Sequence, residues 1–521
     1  MATTEYLTIL LSKAPVSGTS IFSLAEVQKH FISSNPLPKT APEERATGLY
    51  DKMYTLLDCH SSLNDAIVYT TRFLNTMSLS SARQLAMLIS QAVDDIESDT
   101  QTQLPGAQAT KLESPIVSPE DGLDITPKRR NAIRILQNAT QELMATMLPT
   151  GLYHYNIVKS GLDLAAVITV CNAKIADVIH SFDPECSKGG VHINLLADRA
   201  GMDPVKLSQV LRFLAVKHIF HEPTENHWAN NRASIALCTD SPNTVRSTIS
   251  FFGSTILPPS LEELPRSLLD KDDNVAFSWS PCDAPVPRYF KADGDFFAYM
   301  SSQPEKMKVY EKCMSELGKI TGASGKEYQG FDWNKLGPKG TLVDVGGGNG
   351  HVSYVLAKYL PNWTLIVQDQ PAVVKEAQEQ RRAMKDLSVK VEFEEADLFR
   401  AQPVHRVKGA DVYFLRYILH DWPFEECIEI LRNLRRAAKP TTRLLICDNQ
   451  LELPNVPLEK RTTAGYYTSM VMLVAHNSHE RNVIEFEEIF KKSGWNLVAV
   501  HPLKDYSDMV IYEGVVSANV Q

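Results

Sequence analysis

Residues 342–350 read LVDVGGGNG, an apolar run that leads directly into four glycines. The run predicts a buried β-strand, and the amphipathic segment His351–Leu360 after it predicts a helix. Glycine lets a backbone approach a ligand closely, and the start of a helix directs amide N–H groups toward it. One glycine would suit a plain turn between strand and helix, whereas four favour a ligand-binding loop.

The sequence around this loop predicts a doubly wound α/β domain. From about Lys339 onward, apolar β-rich runs alternate with amphipathic helices, a pattern typical of a parallel sheet with helices on both faces. Two closing runs, Asn496–His501 and Asp508–Val515, predict an antiparallel hairpin at the sheet edge. Ligands of such sheets bind at the carboxyl ends of the strands. The functional residues are therefore expected there.

The spacing of the glycines distinguishes between two cofactors. A dinucleotide fingerprint that starts at Gly346 needs Gly or Ala at position 351, where this chain has His351, so NAD is disfavoured. The pattern Asp-x-Gly-x-Gly-x-Gly, formed by Asp344, Gly346, Gly348 and Gly350, is typical of enzymes that bind S-adenosylmethionine (SAM). SAM is the predicted cofactor.

Polar residues follow the later strands of the predicted sheet. Asp369 ends the second strand, where its carboxylate can accept both ribose hydroxyl protons; the alternative is an acid in a surface turn. His420 lies just past the fourth strand, where a neutral imidazole can take a proton from a substrate hydroxyl. Asp448 ends the fifth strand and Glu480 follows the next helix, so both carboxylates could orient the ring. A purely structural histidine is the alternative.

The whole chain divides into five predicted segments. They are a helical unit of unknown role (1–97), a polar linker (98–126), a winged-helix dimerisation domain (127–245), connecting helices with a substrate-pocket segment (246–338), and the catalytic α/β domain (339–521). The second helix of the winged helix carries Lys206, Arg212 and Lys217, which are too few cations to bind the phosphate backbone of DNA. Packing or dimerisation is favoured over DNA recognition.

Composition excludes several classes of protein. The 521 residues are 44% hydrophobic with a formal charge of −9, which indicates a multidomain globular protein without the basic surface that nucleic acid or an anionic membrane would need. The eight cysteines form no Cys-x-x-Cys pair, and no Cys/His cluster has zinc spacing. We expect reduced thiols, no metal, and, without a leader or long apolar run, a cytoplasmic protein.

From about Pro127 to Val515 the chain resembles the caffeic-acid-type plant and fungal O-methyltransferases, in which a winged-helix dimerisation domain precedes a SAM-dependent catalytic fold. The resemblance implies that His420, in the motif "HDW", is the catalytic base and that Asp448 and Glu480 flank it. Plant members usually carry Glu where this chain has Asp448.

The same resemblance implies further contacts. Asp369 would bind the ribose, Asp397 would lie beside the adenine, and Arg416 would contact the cofactor where plant relatives have Lys. Residues that would line the phenolic pocket are Phe296, Met300, Met470, Met472 and Asn477. Flexible methionines and flat aromatics suit a planar acceptor, although methionines at helical spacing are also ordinary core residues.

The expected function is SAM-dependent methylation of a phenolic or enolic hydroxyl on a small secondary metabolite, such as a polyketide, by a homodimer without metal. Two alternatives stay open. One is a family member that does not methylate and uses the fold for a pericyclic cyclisation or as a cofactor-bound scaffold. The other is a winged-helix regulator with a vestigial enzyme fold.

Overall fold

The computed structural model describes residues 81–107, 110–122, 126–271, 274–320, 327–383, 391–406, 409–452, 456–458, 461, 463–503 and 509–517. The chain divides after Gln84, and the domains described belong to Leu85–Gln521. Most of the predicted helical unit, 1–97, lies outside the described residues.

The amino-terminal half is helical. Its elements are α1 (Ser81–Gln103), α2 (Pro127–Met147), α3 (Thr150–Asn172), α4 (Ile175–Phe182), β1 (Val191–His192), α5 (Ile193–Ala200), α6 (Pro204–Ala215), β2 (His221–Thr224), β3 (His227–Ala229), α7 (Arg246–Phe251), α8 (Leu257–Leu269), α9 (Pro285–Phe290), α10 (Phe296–Ser301) and α11 (Pro304–Ile320). None of the helices in the described ranges is both long and apolar enough to cross a membrane.

The carboxy-terminal half alternates strands and helices. Its elements are β4 (Thr341–Val345), α12 (His351–Tyr359), β5 (Thr364–Asp369), α13 (Pro371–Ala383), β6 (Val391–Glu395), β7 (Val412–Arg416), α14 (Phe424–Ala437), β8 (Arg443–Asn449), α15 (Thr463–His476), α16 (Val483–Ser493), β9 (Trp495–Pro502) and β10 (Met509–Val516).

The large sheet has the order β6-β5-β4-β7-β8-β10-β9. Strands β4 to β8 pair in parallel, and β10 pairs antiparallel with both β8 and β9. This confirms the predicted doubly wound sheet and its closing hairpin. The order reverses between β4 and β7, so their carboxyl ends flank the crevice where such sheets bind ligands.

Alternate side chains of the strands pack into two separate cores on opposite faces of the sheet. A shift of register by one residue would exchange the two faces, so this packing fixes the register. Val343 and Tyr413 pack with α14 and α16 on one face, where Leu431 and Phe486 are buried. Their neighbours, Leu342 and Phe414 among them, pack on the other face with α12. Because both faces are covered, the central strands β7 and β8 are almost wholly apolar until the point where each one ends.

Helices α5 and α6 with strands β1 to β3 form the predicted winged helix, and they share one core with α3 and α4. Asp203 caps α6 by accepting the N–H groups of Val205 and Lys206. Two of its cations have acidic partners: Arg212 pairs with Glu222 at 2.8 Å, and Lys217 pairs with Asp163 at 3.0 Å. These pairs reduce the positive charge that a nucleic acid would meet.

The segment predicted as a linker differs from that prediction. Helix α1 continues to Gln103, beyond the predicted boundary at 97, because Asp99 pairs with Arg129 of α2 at 3.3 Å and accepts the hydroxyl proton of Thr126. Further along, Glu120 pairs with Arg232 beside the winged helix at 3.1 Å. Some of the polar residues of this stretch therefore form tertiary ion pairs.

Candidate active site

The glycine loop begins where β4 ends. Gly346, Gly348 and Gly350 all have positive φ angles, of 71°, 58° and 80°, a region that other residues rarely adopt. A Cβ on Gly346 would meet the side chain of Ile418, whereas the space above Gly348 is open for at least 4 Å. The loop therefore presents backbone to an open space at the sheet edge, as a ligand cradle requires.

Two carboxylates hold this loop from opposite sides. Asp369, at the end of β5, accepts the N–H of Gly348 through Oδ2 at 2.8 Å and that of Gln370 through Oδ1 at 2.8 Å. Asp344 is buried beneath the loop and accepts the Ser353 hydroxyl proton at 2.6 Å. Burial raises the pKa of Asp344 to about 6. Asp369 is thus hydrogen-bonded to the loop rather than an isolated surface acid, while Asp344 lies buried beneath the loop.

The other predicted cofactor residues lie around the same crevice. Arg416 ends β7, with its guanidinium carbon 4.7 Å from the centre of the Tyr417 ring. Burial, and then the charge of Arg416, lower the pKa of the nearby His351 to about 4. Asp397 follows β6, where its Oδ1 accepts the N–H of Phe399 at 2.8 Å and its side chain stays largely exposed. The carboxylate oxygens and loop amides of this region suit a polar nucleoside with an aminoacyl tail, so the residues present fit SAM.

His420 lies in a short turn after β7 and is buried. Its Nδ1 is 2.9 Å from Oε1 of Glu480, which also accepts an N–H of Asn449 at 3.0 Å. The ring of Tyr417 stacks on the imidazole, with 5.0 Å between ring centres. The turn itself is held by Arg481, which donates to the carbonyls of Leu419 and Trp422 at 2.7 and 2.6 Å. His420 and Glu480 are therefore brought together as the sequence predicts.

Asp448 takes a different place. Its Oδ1 accepts the backbone N–H of Tyr417 at 2.8 Å, and this stabilises the left-handed conformation of Tyr417, φ 53°. Its Oδ2 is buried without a hydrogen-bond partner among the described residues. Asp448 therefore acts on His420 through its charge and through Tyr417, not by a hydrogen bond to the ring.

Two residues with no predicted role complete the cluster. Oδ1 of Asp421 lies 3.4 Å from Nε2 of His420 and 3.5 Å from Nε2 of His476. His476 is the last residue of α15 and packs against the rings of Phe296 and Phe297, whose centres are 4.6 and 5.1 Å away. Asp421 is part of the quoted "HDW" motif, which is the one signal in the sequence that could have found it.

The charges of this cluster determine the state of His420. Burial by itself would lower the pKa of His420, but Asp421, Glu480 and Asp448 together outweigh burial and raise the pKa to about 10. Burial raises the pKa of Asp421 to about 6 and that of Asp448 to about 7, against the opposing charge of His420. Because their charges interact, these groups titrate as one coupled set.

The predicted pocket residues separate into two groups. Phe296, Met300 and Met472 are buried, the first two in the cluster that also contains Val474 of α15. Met470 is 48% exposed. The Asn477 amide donates to the carbonyls of Ser278 and Ser280 at 2.8 and 3.0 Å and so holds the loop before α9. Phe296 is the one of these that lies against the His420 cluster, through its contact with His476.

Comparisons with known proteins identify the family of the chain. Residues 283–496 match the model of the O-methyltransferase domain family. A relative from Phanerochaete chrysosporium, "3-O-methyltransferase 2", is 30% identical over 443 residues, which are 80% of this chain and 92% of the relative. The "Grayanic acid biosynthesis cluster O-methyltransferase" of Cladonia grayi is 34% identical over 61% of this chain and 65% of its own.

The fold is also found in a protein with another chemistry. A solved structure described as "A Pericyclic Reaction enzyme" matches 82% of this chain and 100% of its own with a TM-score of 0.60, at 20% identity. That likeness concerns the fold alone. On the family match and the Phanerochaete relative, the chain belongs to the O-methyltransferase family: it is a SAM-dependent O-methyltransferase of secondary metabolism that acts on a small-molecule acceptor.

Proposed function

We propose that this enzyme methylates a phenolic or enolic hydroxyl of its acceptor and that His420 is the general base. SAM supplies the electrophilic methyl group when it is bound. His420 is anchored at Nδ1 by Glu480, which leaves Nε2 as the nitrogen that can take the hydroxyl proton. The observation that carries the proposal is the buried acidic surrounding of this one imidazole.

The carboxylates around His420 bring its pKa close to that of a phenol. Phenols have pKa values near 10 and free imidazole near 6.5, so proton transfer from a phenol to an ordinary histidine costs about 5 kcal/mol. Because the carboxylates raise the pKa of His420 to about 10, the same transfer becomes nearly free of cost. Because a base must be neutral to accept a proton, general bases work best near the pH at which they titrate, and His420 is therefore expected to act at alkaline pH.

The pocket favours a flat, apolar acceptor. The rings of Phe297 and Trp422, 6.1 Å apart at their centres, lie beside Phe296 and the His420 turn. We include Met300 and Met472, which are buried, in the proposed lining, where they would add polarizable surface to the aromatic rings. We include Met470 and Asn477 in the proposed lining, at its exposed end.

The test is a reaction of the purified enzyme with SAM and a panel of phenols and enols, followed by mass spectrometry. The expected product is heavier by one methylene, with S-adenosylhomocysteine formed in equal amount. His420→Ala and His420→Gln should lower turnover by about 10²–10⁴-fold and leave SAM affinity nearly unchanged. A His420→Ala enzyme with wild-type turnover at neutral pH would contradict the base. Conversion of an acceptor without change of mass would favour a cyclisation instead.

We also propose that the enzyme is a homodimer that pairs through α3. Tyr155, Val158 and Leu162 share one face of this helix and are 58%, 74% and 64% exposed. A contiguous apolar stripe of this kind marks an association surface, and a symmetric dimer is the commonest solution. Val158→Asp should give a monomer by light scattering, whereas Ser160→Glu, on the opposite face, should not. A monomeric wild type at micromolar concentration would contradict the proposal.

A further inference from the structure

The carboxylate of Asp421 lies between two imidazoles. Its Oδ1 is 3.4 Å from Nε2 of His420, its neighbour in the chain, and 3.5 Å from Nε2 of His476, at the carboxyl end of α15. The side chains of His420, Asp421 and His476 are 11%, 15% and 7% exposed. Asp421 contacts Nε2 of His420, whereas Glu480 contacts Nδ1. The Asp421 contact therefore concerns the same nitrogen that takes the proton in the proposed reaction.

His476 is held in a dry, aromatic surrounding. The rings of Phe296 and Phe297 pack against it at 4.6 and 5.1 Å between centres. Burial and the charge of His420 lower the pKa of His476 to about 3. It is therefore neutral at any pH at which the enzyme works. A neutral imidazole has one N–H, and only the tautomer protonated at Nε2 can donate toward Asp421.

We propose that His476 is a positioning residue that acts through Asp421: its Nε2–H keeps the Asp421 carboxylate ionised and in place against Nε2 of His420. Glu480 holds the other nitrogen of the ring, Nδ1, at 2.9 Å. This inference rests on the proposal that His420 is the general base. It adds that the strength of the base is set in part from α15, the helix that also lines the acceptor pocket.

The direction of the effect follows from charge. An N–H donor stabilises the ionised form of a carboxylate, and an ionised Asp421 beside Nε2 favours the protonated form of His420. Without the donor, Asp421 holds a proton more readily and attracts His420 less. Loss of the donor should therefore lower the pKa of His420.

Other ionisable groups around His420 stay constant in such an experiment. Glu480 contacts Nδ1, and Asp448 lies at the end of β8. Tyr310 of α11 faces Asp421, whose charge adds to burial in raising the pKa of the phenol. The guanidinium of Arg481 is occupied by the carbonyls of Leu419 and Trp422. None of these contacts involves His476.

Two substitutions separate donation from packing. His476→Gln keeps a side-chain N–H at about the same reach, whereas His476→Leu keeps apolar volume without a donor. The readout is the titration of His420 by NMR in full-length enzyme labelled at histidine Cε1, with the signal assigned by its absence in His420→Asn. We expect the midpoint to fall by about one pH unit in His476→Leu and by less than half as much in His476→Gln. The acid limb of the kcat profile should move in the same direction.

Equal midpoints in wild type and His476→Leu would overturn the inference, as would equal shifts in the Leu and Gln variants, because either result means that His476 only packs. If His476→Leu does not fold, His476→Phe, which keeps an aromatic ring without a donor, replaces it and should lower the midpoint by about one unit; an unchanged midpoint again overturns the inference. The NMR titration does not depend on catalysis. Wild-type turnover by His420→Ala would therefore refute the proposed base while leaving the measured coupling to His476 intact.

Discussion

Glu480→Gln is the sharpest test of how the buried carboxylates set the base. Glu480 raises the pKa of His420 in two ways, through its charge and through the 2.9 Å contact with Nδ1. The glutamine oxygen can still accept the Nδ1 proton, so the substitution removes the charge and leaves the ring orientation largely in place. It thus isolates electrostatics from positioning.

The expected magnitude follows from the same contacts. Three carboxylates together raise the pKa of His420 from 6.5 to about 10 against burial, and one opposite charge within about 4–6 Å is worth about 1–3 units. Removing Glu480 should lower the pKa by about 1–2 units, or about 1.4–2.7 kcal/mol of proton affinity. Because the base must be neutral to act, activity rises with pH through this pKa. The rise should therefore move to lower pH, and the plateau should be lower because the base is weaker.

The assay is the pH dependence of kcat at saturating SAM and acceptor. Glu487→Gln, an exposed carboxylate on α16, is the matched control and should leave the profile unchanged. An acceptor whose hydroxyl is acidic enough to be ionised throughout the range should show no rise in either enzyme, which separates the base from the ionisation of the acceptor. A rise that stays in place or moves to higher pH in Glu480→Gln would refute the electrostatic argument.

Three further variants test the cofactor loop and the pocket. Asp369→Ala should weaken SAM binding by roughly 1–3 kcal/mol in calorimetry. Asp369→Asn should weaken it by less, because an amide oxygen can still accept the N–H of Gly348. Equal losses of SAM binding energy in the two variants would contradict this. Asp344→Asn should raise the free energy of unfolding by about 1–3 kcal/mol above pH 6 and leave it unchanged below pH 4. The reason is that the fold disfavours the ionised carboxylate, so ionisation destabilises the wild type between the ordinary pKa of 3.8 and the raised pKa of about 6. Denaturation at both pH values measures the difference, and equal stability of variant and wild type above pH 6 would refute it. Phe297→Ala should raise the KM for a planar acceptor by about tenfold at unchanged SAM affinity, and an unchanged KM would remove this ring from the pocket.

The fold could be predicted because its signals are local. The central parallel strands β7 and β8 are covered on both faces and are therefore apolar runs up to their ends, and the glycines of 346–350 mark the turn that positive φ angles require. His420 and Glu480 could be predicted because each follows a recognisable element. The hairpin of β9 and β10 could be placed at the end of the sheet because a polar turn separates two apolar runs.

What could not be predicted depends on contacts between distant segments. The extension of α1 past residue 97 depends on the pairing of Asp99 with Arg129. The contact of Asp448 with Tyr417 depends on a left-handed residue that a sequence pattern does not reveal. A histidine at the end of an apolar helix, such as His476, looks like ordinary core until the turn that carries Asp421 is seen against it.

The fold by itself does not decide the chemistry, since a protein of the same architecture is described as a pericyclic enzyme. A pericyclic reaction needs a shaped apolar pocket but no matched base, whereas methylation of a hydroxyl needs a group that removes a proton as the new bond forms. In this chain three carboxylates surround the imidazole of His420. Burying these charged groups costs desolvation free energy, which a purely apolar pocket would avoid. The acidic cluster, more than the sheet or the glycine loop, is the observation that supports our proposal of proton removal from a weakly acidic hydroxyl.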